Sequence, residues 1–280
     1  MDNTIFNMKS QKEHELYAAR HHYRLYFHCL LVVICLLSVI PASTNAQIKV
    51  MSYNIHYCVG MDNKNSMKGI VEVIKKAEPD IVGLQEIRDS LMAEEIARLA
   101  GMKVIFGPSL GKMDGYGDAI LSKYPFEWNG NYSIPSASSS RYQAMAVTID
   151  FSAKSKRLGK IRLINTHFDW LSTIGSKNAR LATVDVIEEA FFRNSTVPTI
   201  LTGDLNSEPN SEVVDKLKKY GWINCSDDGI YKTYNSTNPT KQIDYILCRP
   251  MNKWKIANFS VMYGELSSDH LPVIANLIVK

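Results

Sequence analysis

No apolar run in this chain reaches the length of a membrane span. The longest, Phe27–Ile40 (FHCLLVVICLLSVI), holds 14 residues, whereas a spanning helix needs about 20. Lys9, Lys12, Arg20 and Arg24 precede it, and small residues ending at Ala46 follow. Residues 1–46 therefore read as a secretory signal peptide, or, if uncut, as a membrane anchor. Either form places the protein outside the cytoplasm: periplasmic, secreted, or anchored and facing outward. The seven residues Pro41–Gln47 reach roughly 25 Å when extended. An uncut form is thus expected to hold its site near a membrane surface and to favour lipid substrates. Ile34 before Cys35 is too large for a lipoprotein cleavage site.

Cysteine is also scarce. Only Cys58, Cys225 and Cys248 lie beyond residue 46, an odd number that excludes a fully paired disulfide framework. Charge of one sign is missing: beyond residue 46, 28 Lys/Arg face 25 Asp/Glu. That balance is no strong electrostatic footprint for nucleic acid. Lys154, Lys156, Arg157, Lys160 and Arg162 form a basic cluster, at what reads as a hairpin tip. There is no Gly-rich phosphate loop, no Gly-x-Ser-x-Gly elbow and no Cys/His zinc spacing. Nor does a linker, repeat or low-complexity tract divide residues 47–280, which fit one domain, expected to be monomeric.

What the sequence does contain is short strands. Apolar or alternating runs predict strands at Ile48–Tyr53, Ile81–Leu84, Met102–Phe106, Ala119–Ser122, Ala144–Phe151, Ile161–Thr166, Thr199–Thr202, Ile243–Leu247, Ile256–Met262 and Pro272–Val279. Helical patterns are fewer: Ser66–Ala77, Ser90–Leu99, Lys177–Phe192 and Ser211–Lys219. Strict βαβ alternation fails after residue 110, which argues against a doubly wound parallel sheet. The pattern suits an α/β sandwich in which two mixed β-sheets pack face to face with helices outside.

The polar residues at strand ends carry the chemistry. Asp204 and Asn206 follow the Thr199–Thr202 run, and residues i and i+2 of an extended chain point the same way. Asp269 and His270 precede the last run. Asn54 ends the first strand, where it would hold a metal or the metal's ligands. Glu86 ends the second, and suits Mg²⁺ as a hard oxygen donor. His167 closes Asn165-Thr-His, with Trp170 three residues on as a surface on which substrate would stack. Asp244 interrupts an apolar strand, and a buried carboxylate needs a partner; a histidine or a Lys/Arg would serve. Of the seven histidines only His56, His167 and His270 lie beyond residue 46. Carboxylates to hold a divalent cation and a histidine to move a proton together suit phosphoester hydrolysis.

In their order along the chain, the segments MSYNI, PDIVGLQEIRDS, GYGDAILSKYP, NTHFDW, TGDLNSEP, QIDYIL and SSDHLPV resemble the endonuclease/exonuclease/phosphatase superfamily, in a bacterial secreted or membrane-associated branch. The resemblance covers residues 48–280 and implies a four-layer α/β sandwich with its site where the two sheets meet. It implies that Glu86, with Asn54 and Asp269, holds Mg²⁺ or Mn²⁺, and that Asp204 and Asn206 position water and phosphate. His270 with Asp244 would be the general base or its equivalent, and His167 would contact phosphoryl oxygens. Tyr116 and Arg88 match positions that relatives place near substrate. The activity implied is hydrolysis of a phosphodiester, either nucleic acid or a phospholipid headgroup. A phosphomonoesterase and a non-catalytic binding module of the same fold are the alternatives.

Overall fold

The computed structural model describes residues 46–280 apart from 110–115, 140–141, 193–195 and 227–228. The Phe27–Ile40 run and the expected cut after Ala46 rest on residues outside that range. Among the described residues no helix is long and apolar enough to cross a membrane.

Alternation along each strand sets what faces what. In β1 (Gln47–Asn54), Ile48 and Val50 point into one apolar cluster while Met51 and Tyr53 point into another. β7 (Lys160–His167), β8 (Thr199–Asp204) and β10 (Asp244–Arg249) repeat the pattern: Ile161, Leu163, Ile200, Ile246 and Cys248 join the first cluster, and Ile164, Leu201, Tyr245 and Leu247 face away into a third. Strands apolar on both faces must be covered on both faces. The first cluster accordingly lies between two sheets, and the other two lie beneath helices. The order is helix, sheet, sheet, helix, as expected from the sequence.

One sheet runs β11-β12-β1-β2-β4-β3 and the other β5-β6-β7-β8-β10-β9. The remaining strands are β2 (Ile81–Ile87), β3 (Lys103–Pro108), β4 (Gly117–Ser122), β5 (Phe126–Ile134), β6 (Tyr142–Asp150), β9 (Ile223–Asn224), β11 (Trp254–Val261) and β12 (Val273–Val279). Each sheet is mixed, with one parallel pair near its centre, β1/β2 and β7/β8. Helices α1 (Met67–Ala77) and α2 (Ser90–Ala100) cover the first sheet. Helices α3 (Ile174–Phe192) and α4 (Glu212–Lys219) cover the second. In α1, Ile70, Val73, Ile74 and Ala77 recur at helical spacing on the buried face. Asp89 caps α2, accepting from Met92 N at 2.8 Å, and Gly101 in the left-handed region ends it.

Two strands escape the sequence reading. β5 is an edge strand whose residues are exposed or half-buried except at Ile134, with a register shift between Trp128 and Gly130. β9 has only two residues. Neither buries a face wide enough to leave a period in the sequence.

The ends of the sandwich differ. β1 begins at Gln47 and reaches the site at Asn54, so a chain preceding Ala46 joins the domain about 23 Å along the strand from the site. The basic cluster lies at that same remote end, in the β6–β7 connection. There Lys154 is bonded to Asp80, Lys160 pairs with Glu127 at 2.9 Å, and Arg162 is bonded to the carbonyl of Phe191.

Candidate active site

Towards one end of the sandwich the inner faces change from apolar to polar. Following the inward parity, Ile48 and Val50 give way to Ser52 and Asn54, Ile81 to Gly83 and Gln85, Ile161 and Leu163 to Asn165 and His167, and Ile200 to Thr202 and Asp204. On the antiparallel β10, Ile246 gives way to Asp244. Just below the site the sheets touch through a buried polar belt. Gln85 Nε2 donates to Asn165 Oδ1 at 2.6 Å and Ser52 Oγ at 3.3 Å. Asn165 Nδ2 donates to the carbonyls of Leu84 and Ala119, and Thr202 Oγ1 to Asn165 Oδ1. Gly83 permits this approach: a Cβ there would lie 2.1 Å from Thr202 Oγ1.

Glu86 sits on the outward parity of β2. A register shift between Leu84 and Ile87, with φ of 59° at Glu86, turns its carboxylate back to the site. The buried Asp118 on β4 accepts a hydrogen bond from the Glu86 backbone. Asn206 is a second left-handed residue, φ 45°, and its N–H donates to Asp204 Oδ1 at 2.9 Å. Short polar side chains tolerate that conformation.

These residues converge. Asn54 Nδ2 donates to Glu86 Oε1 at 3.0 Å and to Asp204 Oδ2 at 3.2 Å, while Asn54 Oδ1 accepts from His56 N. Asn54 therefore presents its N–H groups, not its oxygen, to the carboxylates. Asp204 Oδ2 lies 3.5 Å from His167 Nε2 and 3.6 Å from His270 Nε2. Asn206 Nδ2 donates to the Phe168 carbonyl and to His167 Nε2 at 3.1 Å. An amide nitrogen only donates, so the ring N–H of His167 is on Nδ1. Asp244 receives His270 Nδ1 at 3.0 and 3.1 Å, which gives the carboxylate its partner. Asp269 lines the cleft with its Oδ1 3.8 Å from His56 Nδ1. Tyr142 and Tyr234 flank the two histidines, with ring centroids 5.1 Å from His167 and 4.8 Å from His270.

Electrostatics follow from burial and proximity. Burial opposes a charge on His270, but Asp244 and Asp204 outweigh it and the imidazole is pushed up to about 10. Burial raises Asp204 above the usual carboxylate range against the pull of His270 and His167. It lifts Asp118 to about 7, and Asp118 Oδ2 has no hydrogen-bond partner. Asp204, Asp244 and His270 bring ligand atoms within 4.8 Å of one another. Since His270 Nδ1 is engaged by Asp244, the oxygen-rich side of the site, Glu86, Asp204 and Asp269, is the part suited to a hard divalent cation. Crowded, partly buried carboxylates fit that role, because a cation offsets their mutual repulsion.

Above these groups opens a cleft of about 890 Å³. Tyr116 and Trp170 line it, and Trp170 is 59% exposed. Arg88 is exposed, donates to the Tyr57 carbonyl at 3.4 Å, and is not among the lining residues. Lys177, Arg180 and Lys241 supply cations to the lining instead. No local spacing marks Lys177, Lys241, Tyr142 or Tyr234; the fold brings in Lys177 and Arg180 on α3, Tyr142 on β6, and Tyr234 and Lys241 from the chain before β10.

Comparisons with known proteins agree with this geometry. Residues 51–270 match the family model described as the Endonuclease/Exonuclease/phosphatase family. The chain is 29% identical over 178 residues to the 5'-tyrosyl-DNA phosphodiesterase of Caenorhabditis elegans, covering 61% of this chain and 47% of that relative. It thus spans about half the length of that curated relative. Its fold is similar to an endonuclease/exonuclease/phosphatase family protein from Bacteroides thetaiotaomicron, with TM-score 0.69 and 18% identity over 84% of this chain and 98% of the other. It is also similar to the mannosyl-6-phosphatase of Bacteroides thetaiotaomicron VPI-5482, with TM-score 0.66 and 19% identity over 82% and 99%. A match spanning most of the sandwich and reaching from β1 to His270 establishes that the chain belongs to the endonuclease/exonuclease/phosphatase family.

Proposed function

We propose that this phosphoester hydrolase is a divalent-metal-dependent phosphodiesterase acting outside the cytoplasm, with Mg²⁺ or Mn²⁺ as its ion. The observation that carries the reading is the position of Asp204, within 3.6 Å of both His167 and His270, with His270 backed by Asp244. Asp204, raised by burial, accepts the proton of the attacking water, assisted by the Asn206 amide. A base whose pKa is moved towards the working pH is the more effective one. His270, held cationic by Asp244, donates to the phosphoryl or leaving oxygen. His167, with its N–H on Nδ1, binds a phosphoryl oxygen. Glu86 and Asp269 hold the ion, Asn54 orients Glu86 and Asp204, and Tyr116 and Trp170 bound the substrate. Arg88 reaches substrate only by leaving the Tyr57 carbonyl. When bound, the ion offsets charge on the phosphoryl oxygens.

The curated relative named for phosphodiester chemistry favours the diester. A phosphomonoesterase is the second reading, and the similarity in fold to a mannosyl-6-phosphatase supports it. A binding module without activity is expected to lack one of Glu86, Asp204, Asp244 or His270, and this chain has all four. The extracytoplasmic location rests on the targeting pattern of residues 1–46. The test is hydrolysis of bis-p-nitrophenyl phosphate and p-nitrophenyl phosphate with and without EDTA. Turnover that survives EDTA, or is unchanged in His270→Ala and Asp204→Ala, would overturn the mechanism.

A further inference from the structure

Behind Glu86, three buried oxygens have no hydrogen-bond partner among the described residues: Gln85 Oε1, Asp118 Oδ2 and Gln143 Oε1. Their residues are 0, 2 and 3% exposed, and none of them lines the cleft. All three belong to the layer between the sheets. Gln85 continues the inward parity of Ile81, Asp118 that of Ile120, and Gln143 that of Met145, Val147 and Ile149.

Register makes them neighbours. The ladder of β2 and β4 pairs Leu84 with Ala119 and Ile87 with Gly117, so Gln85 and Glu86 together oppose Asp118. Asp118 accepts the Glu86 N–H of that bulge. From the other sheet, Gln143 Nε2 reaches across to the Gly107 carbonyl at 3.3 Å, and Gly107 is the partner of Asp118 in the β3/β4 ladder. The Gln143 amide therefore ends beside the strand pair that carries Asp118.

The three oxygens cannot satisfy one another, because a carboxylate and two amide oxygens only accept. The amide nitrogens are turned elsewhere: Gln85 Nε2 to Asn165 and Ser52, Gln143 Nε2 to Gly107. A proton on Asp118 would serve one amide oxygen and leave the other. A single water has two protons for three acceptors. A cation has no such limit, and buried charges are paired or coordinate a metal. The set carries one negative charge and two neutral carbonyl oxygens. Mg²⁺ holds on to several waters and demands octahedral geometry, whereas K⁺ exchanges its hydration shell for carbonyl oxygens.

We propose that Gln85 Oε1, Asp118 Oδ2 and Gln143 Oε1 bind an alkali-metal cation, Na⁺ or K⁺, between the two sheets. The ion ties β2 and β4 to β6 beside the bulge that turns Glu86 into the site. It is separate from the divalent ion of the hydrolase reading and does not depend on that reading.

The test is made in EDTA, which removes divalent ions and leaves alkali ions free. Equilibrium dialysis against a rubidium tracer, standing in for K⁺, should find a saturable site, displaced by KCl or NaCl and not by choline chloride. At constant ionic strength, a tenfold excess of the ion over its Kd should raise the thermal midpoint by about 3 to 6 °C relative to choline chloride. Asp118→Asn keeps an acceptor for the Glu86 N–H, removes the charge and supplies an amide donor in place of the ion. It should bind no rubidium and melt alike in all three salts. Glu86→Gln alters the divalent site and should bind rubidium as the parent does. Equal midpoints in the three salts with no bound rubidium would overturn the proposal and assign the oxygens to water or to a proton on Asp118. Rubidium binding lost in Glu86→Gln but kept in Asp118→Asn would also overturn it, by placing the ion among the cleft carboxylates. If Asp118→Asn does not fold, Gln143→Leu decides. With one oxygen fewer, rubidium affinity should fall about tenfold or more, and unchanged affinity would overturn the site.

Discussion

Gln85 and Asn165, one from each sheet, meet side chain to side chain at 2.6 Å, and both are fully buried. Each lies one or two residues before a site group, Glu86 and His167. The contact therefore sets the spacing between the two halves of the site as well as joining the sheets. Both amide nitrogens and Asn165 Oδ1 have partners, whereas the acceptor Gln85 Oε1 has none.

Replacing Asn165 by Leu leaves Gln85 Nε2 with Ser52 Oγ alone and Thr202 Oγ1 with the Ile164 carbonyl alone, and takes a donor from the buried carbonyls of Leu84 and Ala119. Such a loss is expected to cost about 1 to 3 kcal/mol, read as a lower denaturant midpoint with an unchanged slope. Gly83→Ala should destabilise by about 1 to 3 kcal/mol, because its Cβ meets Thr202 Oγ1 and, at 2.4 Å, Asn165 Oδ1. If Gly83→Ala melts like the parent, the close approach of the sheets is not tight.

Glu86→Gln keeps the shape of the side chain and removes a negative charge. Mg²⁺ or Mn²⁺ at a hundredfold excess over its Kd should stabilise the parent by about 2.7 kcal/mol. That shift in thermal midpoint should vanish in Glu86→Gln. An equal shift in both proteins would show that the ion binds elsewhere.

His270 gives a stability signature in metal-free protein. Its ordinary value is 6.5 and its folded value about 10, raised by Asp244 and Asp204. A raised histidine contributes stability that is complete below about 6.5 and is lost as pH rises through about 10. Denaturation in EDTA should therefore show a decline between those values in the parent that is absent in His270→Ala. The same variant, and Asp244→Asn to a smaller degree, should lower kcat by about 10² to 10⁴. A parallel pH dependence in parent and variant would remove the ion pair from the account.

N-terminal sequencing of protein recovered from the exporting cell should give a chain beginning near Gln47. Recovery of the intact chain from the soluble cytoplasm would overturn both the cut and the anchored form.

How far these features were legible in the sequence varies with their range. Strands of the sheet interiors and helices α1, α2 and α4 leave a period in the chain, because burial on a fixed face demands one, whereas α3 buries Ser176 and Thr183 along with its apolar residues and leaves little of one. The edge strand β5 leaves none, since its residues stay half-exposed. The strand-end residues Asn54, His167, Asp204 and Asp244 were legible as polar groups continuing an apolar parity. Glu86 was legible only as part of its motif: its parity points it outward, and a bulge and a left-handed backbone turn it in. Choosing a partner for Asp244 needed the fold. A histidine and a Lys or Arg are equally good on local grounds, and only the packing of β10 beside the turn before β12 selects His270. Arg88 and the Lys154–Arg162 cluster show the converse. Their charges were plain in the sequence, but strand direction decides which end of a sandwich a loop occupies, and it carries the cluster away from the cleft. The sequence by itself determined the periods, the strand-end chemistry and the family. Tertiary structure decided the neighbours, since contacts between residues far apart in the chain leave no local trace.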